Sequence, residues 1–170
     1  MKRLFFALWP DTKTRKQVAK FQQSIHAQSL KKVKADNLHV TLLFLGNINN
    51  KTETALKQSV ENIKVSPFPL QFEQLSFWKK PRILCLTTQQ YDTQLSILVK
   101  TLKQASEQCA IKTEERPYKP HITLARKAHT RIALDVPLIE LHTQSFCLVE
   151  SCSTPNGVSY QVLQEWDFIN

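Results

Sequence analysis

The sequence predicts an α+β fold of two pseudo-symmetric lobes, each an antiparallel sheet with helices outside, set about a central cleft. Three observations predict it. Amphipathic helical segments alternate with short apolar strands along the chain. One four-residue pattern occurs twice, as His39-Val40-Thr41-Leu42 and His121-Ile122-Thr123-Leu124, separated by close to half of the 170 residues. No low-complexity tract or linker divides the chain, so residues 1–170 are expected to form one domain of two intertwined lobes.

Each element follows from local pattern. Residues 3–9 are an apolar, aromatic run stopped by Pro10, the signature of a strand buried on both faces. Asp11 or Thr12 can cap the next segment, where Val18, Phe21 and Ile25 recur at helical spacing, giving a helix to about Leu30. A basic connector covers 31–36, and 38–45 is an apolar strand stopped by Gly46-Asn47. Ala55, Leu56, Val60 and Ile63 mark a second helix over 52–63. Residues 68–78 read as one strand, joined by a Lys79-Lys80-Pro81 turn to another over 82–87, and the two are expected to pair as a hairpin. Leu95, Leu98, Val99, Leu102 and Ala105 place a third helix over 92–109. Strands follow at 121–126, 139–149 and 159–166, with Pro155-Asn156-Gly157 as the turn between the last two.

Composition narrows the function. With only two glycines, Gly46 and Gly157, a glycine-rich phosphate loop is excluded. The net charge of +9 favours polyanionic partners, because basic side chains displace counterions from a phosphate backbone. The four cysteines lack the CxxC spacing of zinc or redox sites and read as free thiols in a reducing compartment. The apolar run 4–9 is shorter than a signal-peptide core, and no stretch reaches membrane-spanning length, so a cytoplasmic protein without membrane contact is expected.

The repeated motif carries the chemistry. Side chains alternate along a strand, so His39 and Thr41 share one face while Val40 and Leu42 point behind. The same holds for His121 and Thr123. Two histidines across a cleft can supply the base and the acid that phosphodiester cleavage needs near neutral pH. Threonine hydroxyls can donate to the non-bridging oxygens, where charge accumulates. A single His-x-Thr on a strand is ordinarily packing; two copies in matched context argue otherwise. His26, His129 and His142 lack that context and read as surface or structural residues.

The segments NLHVTLLFLG (37–46) and RPYKPHITLAR (116–126) closely resemble the two signature motifs of the 2H phosphoesterases. Within that superfamily the chain looks like the RNA 2′,3′-cyclic phosphodiesterase branch, also called bacterial 2′-5′ RNA ligases, whose first strand RLFFALWP (3–10) resembles as well. The resemblance implies a bilobal fold and hydrolysis of RNA 2′,3′-cyclic phosphate ends to 2′-phosphomonoesters, without metal or cofactor. It implies His39 as proton donor and His121 as proton acceptor, which the near-symmetric sequence cannot itself distinguish. It implies reversible 2′-5′ joining at the same site, and a monomer acting on RNA ends, tRNA fragments among them. Arg126 is implied as a phosphate ligand beside Thr41 and Thr123. Strict alternation, however, would set Arg126 opposite Thr123. Phe5 or Phe6 is a candidate for stacking on a base, with core packing as the alternative. The clusters Lys31, Lys32, Lys34 and Lys79, Lys80, Arg82 are candidates to track an RNA backbone.

Two other functions fit the same residues: a non-catalytic module that binds RNA ends, and a phosphodiesterase for another small cyclic phosphate. Paired histidines argue against mere binding, which Lys or Arg would serve.

Overall fold

A computed structural model describes residues 1–155 and 157–169. The fold is α+β. Strand β1 (Lys2–Leu8) shows why the first apolar run is buried on both faces. Leu4, Phe6 and Leu8 point into the main core; Phe5 and Ala7 point the other way, into a smaller cluster with Cys147 and Val149. Helix α1 (Thr12–Gln23) is capped by the Asp11 carboxylate, which accepts from the Thr14 N–H. It ends at Ser24, not near Leu30 as the periodicity suggests.

Residues Lys31–Lys32, expected as connector, form a short strand β2. A 3-10 turn over Ala35–Asn37 leads to β3 (Val40–Ile48), with His39 immediately before the strand. Gly46 does not stop β3. It sits within the strand at φ +77°, a left-handed conformation that glycine adopts without penalty. Helix α2 (Asn50–Val60) follows, capped by Asn49.

The stretch 68–78 is two strands rather than one. β4 (Phe68–Phe72) and β5 (Gln74–Trp78) are separated by Glu73 and join different sheets. β5 makes the expected hairpin with β6 (Ile83–Thr87). Helix α3 (Thr93–Gln108) precedes β7 (His121–Arg126). The stretch 139–149 divides in the same way, at Gln144, into β8 (Ile139–Thr143) and β9 (Ser145–Thr154). β10 (Gly157–Asp167) closes the chain; the expected turn runs through Asn156, which lies outside the described residues.

β4 and β8 pair with each other as a two-stranded ribbon. The other strands form one sheet in the order β10-β9-β1-β3-β7-β6-β5, with β2 on β7. The pairing is antiparallel throughout, as expected within each lobe, and strands from the two halves of the chain share one sheet. Within that sheet the junction between the β10-β9-β1-β3 strands and the β7-β6-β5 strands is narrow: β3 and β7 meet at a single antiparallel pair, Val40 opposite Ile122. Those residues follow the two motif histidines, so the point where the lobes meet is also where the motifs meet. Helices pack across the halves, α1 on β8 and α3 on β3. Among the described residues, no helix is long and apolar enough to cross a membrane.

Candidate active site

Both motifs contain a β-bulge at the same place. Opposite β1, the register steps from Ala7–Thr41 to Phe6–Leu43 and leaves Leu42 unpaired. Opposite β6, it steps from Cys85–Thr123 to Leu84–Ala125 and leaves Leu124 unpaired. An extra residue inverts the alternation beyond it. Arg126 therefore returns to the face of His121 and Thr123, where simple alternation would have hidden it. By the same inversion Phe44 returns to the face of His39 and Thr41, and it is 50% exposed while Leu43 and Leu45 are buried.

The second bulge is held from the other half of the chain. Its displaced carbonyl, on Leu124, accepts from the Val33 N–H at 2.8 Å and from Gln22 Nε2 at 2.7 Å. Gln22 Nε2 also donates to the Val33 carbonyl at 2.8 Å. Gln22 is a buried polar residue of α1, and these bonds use both N–H groups of its side-chain amide.

The two histidines are oriented alike. Nδ1 of His39 donates to the Asn37 carbonyl at 2.7 Å, and Nδ1 of His121 donates to the Lys119 carbonyl at 2.8 Å. A carbonyl only accepts, so each Nδ1 carries a proton and each Nε2 is left for proton transfer. In the neutral ring, His39 Nε2 accepts from the Thr41 hydroxyl at 2.9 Å. Thr41 is itself fixed from behind, its carbonyl accepting from the Tyr118 hydroxyl at 3.1 Å.

Their surroundings differ. His39 lies in an aromatic nest: Trp9 stacks on it at 5.5 Å, Phe5 lies at 5.0 Å, and Tyr160 meets it edge-on at 4.9 Å. Burial drives its pKa down to about 4, against the Asn37 carbonyl, which favours the charged ring; His121 and Arg126 add repulsion. His121 is also lowered, chiefly by burial, with Arg116 and Arg126 repelling its charged form. Its aromatic neighbour is Trp78, at 4.5 Å. Arg126 thus acts electrostatically on both histidines.

The expected residues stand as follows. His39, Thr41, His121 and Arg126 are linked by contact or by field. Thr123 is half-buried beside His121 on the same strand face. Phe5 is 3% exposed and wedged beneath His39, so it supports the imidazole and offers a base almost no surface. Lys31 pairs with Arg126 in register, at the end of β7. His129 is exposed and accepts from Arg82, and His142 is exposed and pairs with Glu140. Sequence reasoning missed Trp9, Trp78, Tyr160, Phe44 and Gln22. Of these only Phe44 left a signal, since aligning the two motifs places it opposite Arg126.

Comparison with known proteins identifies the family and the overall fold. The sequence profile described as LigT like Phosphoesterase matches residues 8–85 and again 86–160. The chain is 28% identical to an RNA 2′,3′-cyclic phosphodiesterase of Methanocaldococcus jannaschii, over 96% of this chain and 99% of that one. It is also 28% identical to the enzyme of that name from Escherichia coli, over 96% and 95% of the two chains. The fold superposes on the crystal structure of E. coli LigT complexed with 3′-AMP with a TM-score of 0.90, 28% identity and 99% coverage of each chain.

Proposed function

Because the chain belongs to the LigT like Phosphoesterase family, we propose that it is an RNA 2′,3′-cyclic phosphodiesterase that forms 2′-phosphomonoester ends. The observation that carries this reading is the matched pair of Nδ1–carbonyl bonds, which leaves Nε2 of both His39 and His121 for proton transfer.

The step balances with water alone. Water attacks phosphorus while His121 Nε2 takes its proton. The bond from phosphorus to O3′ breaks, and His39 Nε2–H gives its proton to the departing oxygen. Thr41 and Thr123 donate to the non-bridging oxygens and Arg126 pairs with their charge. No cofactor or metal enters this mechanism. Donation requires a protonated His39, which the free site disfavours. The arriving phosphodiester anion supplies the charge that favours the imidazolium. Replacing water by a 5′-hydroxyl in the same step forms a 2′-5′ linkage.

The net charge of +9 supports an RNA substrate. Four free cysteines support a cytoplasmic setting. There the protein works as a monomer on RNA ends such as tRNA fragments.

The test is product analysis with an oligoribonucleotide ending in a 2′,3′-cyclic phosphate, in EDTA. The parent yields a 2′-phosphate, and His39→Ala and His121→Ala each lose about 10²–10⁴-fold in rate. No opening of the ring, or opening that survives either substitution, contradicts the mechanism. Activity confined to a different small cyclic phosphate moves the substrate elsewhere.

A further inference from the structure

One backbone pair, Val40 opposite Ile122, joins β3 to β7. A single pair fixes a point of contact but not the angle at which the strands leave it. In-line transfer needs both imidazoles held on opposite sides of one phosphorus, where an error of about 1 Å costs on the order of 10²-fold in rate. Helix packing, α1 on β8 and α3 on β3, sets the lobes together broadly. Setting the histidines at one separation takes a further bond at the motifs themselves.

Tyr118 makes such a bond. It lies in the loop that leads into β7, shortly before His121. Its hydroxyl donates to the Thr41 carbonyl at 3.1 Å, across 77 positions of sequence. At one end of this bond, Thr41 gives its own hydroxyl to His39 Nε2 at 2.9 Å. At the other end, the next residue, Lys119, supplies the carbonyl that accepts from His121 Nδ1 at 2.8 Å. The loop is stiff. Pro117 and Pro120 have fixed φ, and each disfavours helical backbone at the residue before it, Arg116 and Lys119. The Tyr118 ring packs on the main core and meets Tyr91 edge-on at 6.3 Å. Burial pushes its pKa up, and Tyr91 adds to the rise, so the phenol keeps the proton that it donates.

We propose that Tyr118 is a positioning residue: its hydroxyl ties the first motif to the loop that carries the second, and so fixes the separation and relative angle of His39 and His121. Its hydroxyl is taken up by a backbone carbonyl and its ring by the core, so it acts through Thr41 and Lys119 and not on substrate. A displacement of either motif is thereby passed to the other. This role rests on the proposed function.

Steady-state kinetics on a 2′,3′-cyclic substrate test it, with Tyr118→Phe, Thr41→Ala and the double variant beside the parent. Tyr118→Phe keeps the ring in the core and deletes only the donor. The expected result is a fall in kcat on the order of 10-fold with KM within about twofold of the parent, since the binding groups remain and only their alignment is lost. The double variant should be no slower than the slower single variant, because both residues act in one chain of contacts. Losses that multiply in the double variant would make Tyr118 independent of Thr41 and overturn the inference. So would a raised KM at unchanged kcat, or parental kinetics with only a lower midpoint in urea, the mark of a purely structural residue. Nitrogen NMR of the imidazole rings reads the tie without turnover. Signals of both His39 and His121 should move in Tyr118→Phe, and signals that stay in place would overturn the inference. A parent that opens no cyclic phosphate sinks the proposed reaction, and the ring signals then decide the tie by themselves.

Discussion

The aromatic nest sets how His39 behaves as an acid. Trp9, Phe5 and Tyr160 exclude water from the ring, and exclusion of water is the largest cause of its lowered pKa. Trp9→Ala exposes one face of the imidazole. The expected outcome is a rise of the His39 pKa from about 4 toward its ordinary value, read by NMR titration of the ring protons. An unchanged titration would place the cause elsewhere, in the repulsion from His121 and Arg126. His121 has Trp78 beside it instead. Two residues that look interchangeable in sequence are thus made unequal by their neighbours, which is why the sequence could not separate acid from base.

Elements decide which side chains reach the cleft. The bulge at Leu124 turns Arg126 inward, and Gln22 on α1 helps hold that bulge through the Leu124 carbonyl. Gln22→Leu removes both amide donations and leaves two carbonyls less satisfied in a buried place. The expected cost is about 1–3 kcal/mol of stability, measured by urea denaturation. Phosphate affinity should fall with it as Arg126 loses its aim; a variant that is destabilised yet binds phosphate normally would mean the bulge does not depend on Gln22.

The strands and helices were largely legible because apolar periodicity survives in each of them. The bulges were not. Leu42 and Leu124 are as apolar as their neighbours, and no glycine marks either position. Strict alternation therefore set Arg126, which the resemblance named, on the wrong face, and it left Phe44 unnoticed. The breaks at Glu73 and Gln144 were hidden for a similar reason. A single residue sends the chain from one sheet to another, and apolar residues continue on both sides of it.

At the scale of the whole molecule, the repeat explains both the fold and the site. The β10-β9-β1-β3 and β7-β6-β5 strand groups meet at Val40 and Ile122, so the histidines that precede those residues are brought together by the junction that holds the sheet in one piece. Helices of each half pack on strands of the other, which ties site geometry to global stability. Both histidines are lowered in the folded protein, whereas in the unfolded chain they titrate near 6.5. Between those values the unfolded chain binds more protons than the folded one. Stability is therefore fully present above about pH 6.5 and declines as pH falls toward 4. His39→Gln should make that decline shallower in a series of thermal melts. A parallel decline in parent and variant would mean that His39 contributes none of it.

The central claim is that one histidine gives a proton while the other takes one. The measurement that bears on it most directly is the pH dependence of kcat/KM for a 2′,3′-cyclic substrate in the parent, His39→Ala and His121→Ala. The parent should give a bell centred below 6.5, since both free-site values are lowered. Removing the acid, His39→Ala, should abolish the alkaline fall and leave a rise to a plateau. Removing the base, His121→Ala, should abolish the acid rise and leave activity that only declines with pH. A bell that keeps both limbs in either variant, or a parent profile with a single limb, would contradict the two-histidine account.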